Sequence, residues 1–143
     1  MTALTADRNT PAFLGDLRSG SVGAAALIFA GAMIMRNATG FLVPASTAVG
    51  LIGAGRSEHV ADNSAGADGD IAVRFRPGIY RFANSATTDE ITDADIGAVC
   101  YAVDDQTVAK TSATNTRSKA GFVEMVDTLG VWVRFDEALT KLA

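Results

Sequence analysis

The chain has 143 residues, the size of one ordinary domain, and can bury a hydrophobic core without a disulfide or a metal. Its 16 acidic residues outnumber 12 basic ones and give a formal net charge of −4, whereas nucleic-acid-binding proteins are usually basic. The single cysteine, Cys100, excludes an intramolecular disulfide. The composition therefore favours a globular protein that does not bind nucleic acid.

The N-terminal residues 1–20 show neither helical nor strand periodicity, and Pro11 and Gly15 interrupt them. A polar segment with a few apolar anchors often becomes ordered only when it meets a partner. The sequence therefore predicts an extended N-terminal arm over residues 1–20 and a single β domain over residues 21–143. The alternative is a frayed terminus packed on its own core. The side chains expected to bind a partner are Leu4, Phe13, Leu14 and Leu17.

The strongest apolar run covers residues 22–35 and is shorter than the ~20 residues that span a bilayer. The residues before it also lack the basic start of a signal peptide, because Asp7, Arg8, Asp16 and Arg18 cancel in charge. No membrane association is expected.

From residue 25 onward, short apolar segments alternate with turn residues, as in proteins built from β-strands. Ile71, Val73 and Phe75 alternate with small or polar side chains, which predicts a half-buried strand. A polar loop rich in Gly and Asp is expected over residues 56–70. The predicted strands up to residue 82 are 32–36, 41–43, 48–54, 71–75 and 79–82.

The rest of the chain continues this pattern and adds two short helical segments. Thr92 and Asp95 have the spacing of a capping box, which predicts one helical turn over residues 91–97. Asp136 is suited to an N-cap, so a short helix is expected over residues 136–142. The predicted strands here are 99–103, 107–110, 121–126 and 131–135.

The two parts of the chain resemble each other, since Val73-Arg74-Phe75 recurs as Val133-Arg134-Phe135. This recurrence favours two similar β-meanders, although the match is short and β patterning alone can produce one. Many short strands separated by turns favour an all-β fold. We predict a small β-barrel or β-tulip-like domain with an extended N-terminal arm and at most short helices.

Few residues offer chemistry. His59, the only histidine, lies in a polar loop, and the chain has no Gly-x-Ser-x-Gly nucleophile motif. Cys100 lies in a predicted strand without nearby positive charge to lower its pKa. The acidic clusters do not match a calcium-binding loop, and turn or cap roles explain them. The sequence therefore predicts no catalytic residue, no metal site and no cofactor, hence a binding protein rather than an enzyme.

Arginines interleave with aromatic residues along residues 74–82. Such a pattern can bind single-stranded nucleic acid, but Phe75 belongs to the apolar face and Arg74 to the opposite one. The simpler interpretation is a core on one side and solvent, or an acidic protein partner, on the other. Trp132, the only tryptophan, alternates onto the same face as Arg134 and is a candidate surface residue.

Five strand-and-turn segments follow one another along residues 22–137. They are residues 31–40 (GAMIMRNATG), 78–85 (GIYRFANS), 94–101 (ADIGAVCY), 103–110 (VDDQTVAK), and 120–124 (AGFVE) with 130–134 (GVWVR). In order and spacing they resemble the capsid decoration, or cement, proteins of tailed bacteriophages.

This resemblance implies a compact β domain that binds the outer surface of the expanded capsid, with the major capsid protein as partner. It also implies a homotrimer at a threefold position, an arm that adds a strand to the shell, and no catalytic residue. The protein would be made in the host cytoplasm and reside on the capsid exterior of the virion. The N-terminal stretch and residues 136–143 are less typical of the family.

Two other functions remain open at this point. One is a tail or baseplate component, since those are also built from small β domains. The other is a β-type module that binds carbohydrate or peptide, which would present a pocket with exposed aromatic residues.

Overall fold

The computed structural model describes residues 2–143, and they form an all-β structure with one short α-helix, as predicted. No helix within these residues is long and apolar enough to cross a membrane. The strands are β1 (Arg18–Ser21), β2 (Leu27–Ile28), β3 (Met33–Arg36), β4 (Leu42–Pro44), β5 (Ile52–Ser57), β6 (Ala61–Asp62), β7 (Ala72–Arg76), β8 (Gly78–Phe82), β9 (Val99–Ala102), β10 (Val108–Ala109), β11 (Lys119–Asp127) and β12 (Gly130–Phe135), and the helix is α1 (Glu137–Leu142).

Ten of the strands form one sheet, whose main path runs β1-β7-β5-β11-β12-β8. The hairpin β3–β4 attaches to β5, the hairpin β9–β10 attaches to β11, and β2 pairs with β6 separately. The sheet does not close into the predicted barrel, because β1 and β8 lie at opposite ends of the path and each pairs with only one strand of it. The open, branched sheet therefore has edge strands at β1 and β8 and also at β4 and β10. Single parallel bridges, Val22 with Leu42 and Ala83 with Thr107, link the first half and the second half of the chain back on themselves just beyond β1 and β8.

The two halves of the chain have the same connectivity. In the first half, β1 pairs with β7, β7 with β5, β5 with β3, and β3 with β4. In the second half, β8 pairs with β12, β12 with β11, β11 with β9, and β9 with β10. The halves meet at β5 and β11, which pair in parallel at Ile52 and Lys119. The repeated Val-Arg-Phe segment occupies equivalent strands, β7 and β12.

Two glycines permit the close approach of strands, Gly53 at this junction and Gly121 within the second half. A Cβ on Gly53 of β5 would overlap the carbonyl of Ala120 in β11. A Cβ on Gly121 of β11 would overlap the carbonyl oxygen of Arg134 in β12. Glycine is therefore required at both positions because there is no space for a side chain.

The interior consists of two hydrophobic clusters that meet on either side of β3. Met33 and Met35 point into the cluster that contains Phe135, whereas Ile34 points into the cluster that contains Phe75. These three residues of β3 are fully buried, which is typical of a strand covered on both faces, and only its last residue, Arg36, is partly exposed. Because alternate side chains of one short strand serve both clusters, the two halves share their packing.

The sequence-predicted boundaries differ from the observed ones mainly in the first half. Strand β1 includes residues 18–20, the last three residues of the predicted arm, because they pair with β7. The predicted loop 56–70 contains the end of β5 and all of β6, which pairs with β2. The predicted strand 48–54 starts only at Ile52.

Both predicted caps are confirmed. The Asp136 carboxylate accepts the backbone N–H of Leu139 at 3.0 Å and begins α1. Thr92 and Asp95 form a capping box around a short 3-10 turn, Asp93–Asp95. Both are local interactions between residues three apart, which explains why the sequence was sufficient to predict them.

Candidate functional site

The N-terminal arm places its apolar side chains in solvent. Residues 2–17 contain no strand or helix. Leu14 is 97% exposed, and Leu4 and Phe13 are each 71% exposed. Leu17, next to β1, is 37% exposed. The structure thus brings none of the four predicted anchors into the core, and large apolar side chains exposed together are typical of an interaction site.

The arm is attached to the rest of the structure only near its root. Arg18 Nε donates to the carbonyl oxygen of Gly15 at 3.0 Å, and Asp16 lies 3.7 Å from Arg76. Between residues 2–14 and the remaining described residues there is no hydrogen bond or ion pair. At about 3.3 Å per residue, residues 2–17 can reach about 50 Å from the sheet.

The root of the arm lies beside an open groove between the two halves. Arg18 of β1, Ile79 of β8 and Arg134 of β12 line this groove. Two acidic residues also line the groove: Asp136, whose carboxylate caps α1, and Glu137, which forms an ion pair with Arg36. Because these two carboxylates have other partners, the arginines dominate the side of the groove from which the arm leaves.

A second candidate surface is the outer face of the second half, which we call the aromatic–arginine face. Directly paired residues on adjacent strands point to the same side of a sheet. The register therefore aligns two rows of side chains across β9, β11, β12 and β8. One row is Val99, Phe122, Arg134 and Ile79, and the other is Met125, Trp132 and Arg81.

The side chains of this face stack on one another and remain accessible. The Arg134 guanidinium lies 5.7 Å from the Phe122 ring centre, and that of Arg81 lies 5.4 Å from the Trp132 ring. Such cation–π contacts hold the guanidinium groups over the aromatic rings. Ile79 is 44% exposed and Met125 is 47% exposed. The alternation of residues in the sequence already placed Trp132 and Arg134 on one face of their strand. The register of the paired strands shows which residues of β8, β9 and β11 lie beside them on that face.

Asp127 orders one end of the face. Its carboxylate accepts the Trp132 indole N–H at 2.9 Å and the backbone N–H groups of Leu129 and Gly130. These donors, the indole first, hold the pKa of Asp127 below its usual value, and Arg81 at 3.7 Å contributes to the same shift. Arg134, by contrast, forms no ion pair with any residue in the range 2–143.

The residues considered for chemistry have structural contacts. His59 accepts the backbone N–H of Arg74 through Nε2 at 3.0 Å, which fixes the ring against the start of β7. Cys100 is fully buried, and this burial raises the pKa of its thiol to about 12. The thiol is therefore protonated and a poor nucleophile at neutral pH.

The acidic residues mostly organise turns. Asp62 accepts from the backbone N–H of Ser64, and Asp104 accepts from that of Gln106. Asp68 and Asp70 accept from the backbone N–H groups of Ala24 and Ala67. Within residues 2–143, no group of three or more His, Cys, Asp or Glu side chains is arranged to hold a metal ion.

A further open groove of about 500 Å³ lies between α1 and the first half. Its charged side chains include Arg36 and Glu137, which form a two-point ion pair with both distances at 2.9 Å. This pairing raises the pKa of Arg36, chiefly through the hydrogen bond to Glu137. The groove thus has its main polar groups already paired with each other.

No family model matches the chain, and no curated protein or solved structure is similar to it.

Proposed function

We propose that the protein is a capsid decoration protein of a tailed bacteriophage, which binds the outer surface of the expanded shell and stabilises it. The observation that carries the proposal is the arm, whose large apolar side chains Phe13 and Leu14 are exposed because no part of their own domain covers them. A compact β domain with such an arm suits binding rather than catalysis. The resemblance of residues 22–137 to decoration proteins supports the choice of partner, the major capsid protein.

The energetics of the arm favour repeated attachment over single binding. Burying one large apolar side chain contributes about 1.5–3 kcal/mol, so four anchors contribute about 6–12 kcal/mol. Fixing the backbone costs about 1–2 kcal/mol per residue, so ordering all of residues 2–17 would cost about 16–32 kcal/mol, which is more than this gain. Main-chain hydrogen bonds to an exposed strand edge and many copies on one lattice would supply the remainder. A homotrimer on the capsid exterior would provide three arms per unit.

The test is co-sedimentation of the purified protein with empty expanded capsids and with unexpanded procapsids of its own phage. We expect saturable binding to expanded capsids only, with a copy number that identifies the symmetry axis. The matched variant lacks residues 2–17 but keeps β1, since Arg18 to Ser21 pair with β7. We expect it to remain folded and to lose binding.

A second variant keeps the length of the arm and changes Phe13 and Leu14 to Ser. It should bind at least about tenfold more weakly, because two buried apolar side chains exceed the 1.4 kcal/mol that corresponds to a tenfold change. Full binding by the deletion variant would exclude the arm as the anchor. Absence of binding by the wild-type protein to either shell would favour a tail or baseplate component or a ligand-binding module.

A further inference from the structure

The aromatic–arginine face is not accounted for by the fold. Buried Val131 and Val133 already form the inner side of β12, so the outer Trp132 and Arg134 are not needed for the core. In the equivalent strands of the first half, the outer residues are small or polar, for example Ser19 and Ala72. The same strand arrangement thus occurs in the first half without an aromatic outer face.

The size of the face indicates the kind of occupant. Neighbouring strands are about 4.8 Å apart, so four strands span about 14 Å. A standard interface between two globular proteins covers about 800 Å² on each partner, which is far more than two rows of side chains across this width. The face fits one extended segment of polypeptide.

The charge of the face indicates the composition of that segment. Arg134 has no ion-pair partner among residues 2–143. Arg18 lines the same groove as Arg134, and the carboxylates of that groove, Asp136 and Glu137, already have partners. An occupant with carboxylates near Arg134 and apolar side chains over Trp132 and Ile79 complements both properties. A second copy of this chain is disfavoured by its net charge of −4, and the charges of its arm, Asp7, Arg8 and Asp16, nearly cancel.

We propose that the aromatic–arginine face is a docking surface for an extended acidic segment of a partner protein, rich in apolar side chains. The contact is separate from the anchor arm and does not depend on the arm's partner. The free edge of β8 borders the face, so the segment can also form main-chain hydrogen bonds there.

The chain contains its own reporter for this surface, because Trp132 is the only tryptophan. The experiment titrates the full-length protein with synthetic ten-residue peptides that alternate Glu with Leu or Phe, and follows Trp132 fluorescence. The matched peptides carry Lys in place of Glu. We expect a saturable change in emission with the Glu peptides only, weakened by added salt.

Two variants locate the binding site. Arg134→Ala should weaken binding of the Glu peptides about tenfold, which corresponds to 1.4 kcal/mol. Arg74→Ala is the control, since Arg74 holds the equivalent position in β7 and is also exposed. Equal binding of Glu and Lys peptides, binding of neither, or equal effects of the two variants would overturn the proposal. Self-association in sedimentation that Arg134→Ala abolishes would also overturn it, by making a second copy the occupant. The titration uses no capsid, so its failure is distinguishable from failure of the decoration function.

Discussion

The two halves of this protein share a connectivity and differ in the outer face that each presents. At equivalent positions, the first half exposes Ser19, Ser21 and Ala72, whereas the second exposes Ile79, Arg81 and Trp132. The buried positions are alike, since Phe75 and Phe135 end the same Val-Arg-Phe segment in the two clusters. The difference shows that core packing constrains which residues occupy the inner face of each meander. The residues of the outer face are free to differ and can therefore form a binding surface.

The connections between strands differ as well. The first half joins β5 to β7 through a long segment that contains β6, whereas the second joins β11 to β12 by a tight turn. Asp127 organises that turn by accepting two backbone N–H groups, and it also fixes Trp132. The tight turn therefore aligns the aromatic–arginine face, and the first half has a long loop at the equivalent place.

The closest strand contacts, at the junction between the halves and between β11 and β12, give the largest expected effects. Gly53→Ala and Gly121→Ala each place a Cβ on a backbone carbonyl, in β11 and β12 respectively. Each should cost more than about 4 kcal/mol of unfolding free energy, or prevent folding, as exceptional steric substitutions do. Urea unfolding measures the loss. The control is Gly40→Ala, whose Cβ would meet nothing within 4 Å, so that it costs only the strain of a left-handed backbone, about 1–2 kcal/mol. A Gly53→Ala variant as stable as Gly40→Ala would mean that the halves are not closely apposed.

The shared core gives the next largest effect. Phe75→Ala and Phe135→Ala should each destabilise the protein by about 3–5 kcal/mol. Since β3 contributes to both clusters, each variant should shift one common transition, followed by Trp132 fluorescence and by reaction of the buried Cys100 thiol. A Phe75→Ala variant that left the Trp132 transition unchanged would show that the halves unfold independently.

Acid should act on the second half through Asp127. Its pKa is lowered in the folded state, so its stabilising contribution is present above its usual value near 3.8 and is lost as pH falls through the lower folded pKa. We expect a change in Trp132 emission below about pH 4, because protonation weakens the bond from the indole N–H. In Asp127→Asn this acid-induced change should be absent. Persistence of the same titration in that variant would assign it to another carboxylate.

The arm should have the smallest effect on stability. Deleting residues 2–17 removes exposed side chains, the hydrogen bond from Arg18 to Gly15, and one weak ion pair, Asp16 with Arg76 at 3.7 Å. Exposed ion pairs contribute about 0–1 kcal/mol, so the unfolding free energy should change by less than about 1 kcal/mol. Thermal or urea unfolding of the deletion variant measures this. A loss above about 2 kcal/mol would mean that the arm packs on its own domain.

Short-range features could be predicted from the sequence because their causes lie within a few residues. The caps at Thr92 and Asp136 and the alternation of Val73 and Phe75 each depend on neighbours close in the chain. The exposed anchors of the arm are also local, since residues 2–17 make few contacts. The aromatic–arginine face was only partly predictable, because Trp132 alternates with valines but its neighbours come from other strands.

The sequence by itself determined the all-β class, the inward and outward sides of the main strands, the caps, and the recurrence of Val-Arg-Phe. Only the tertiary structure decided that the sheet stays open, that β1 extends into the predicted arm, and that β2 pairs with β6. It also decided which side chains form rows across β9, β11, β12 and β8. The physical reason is that strand pairing joins residues far apart in the chain, and a local period of two does not specify a strand's partner or register.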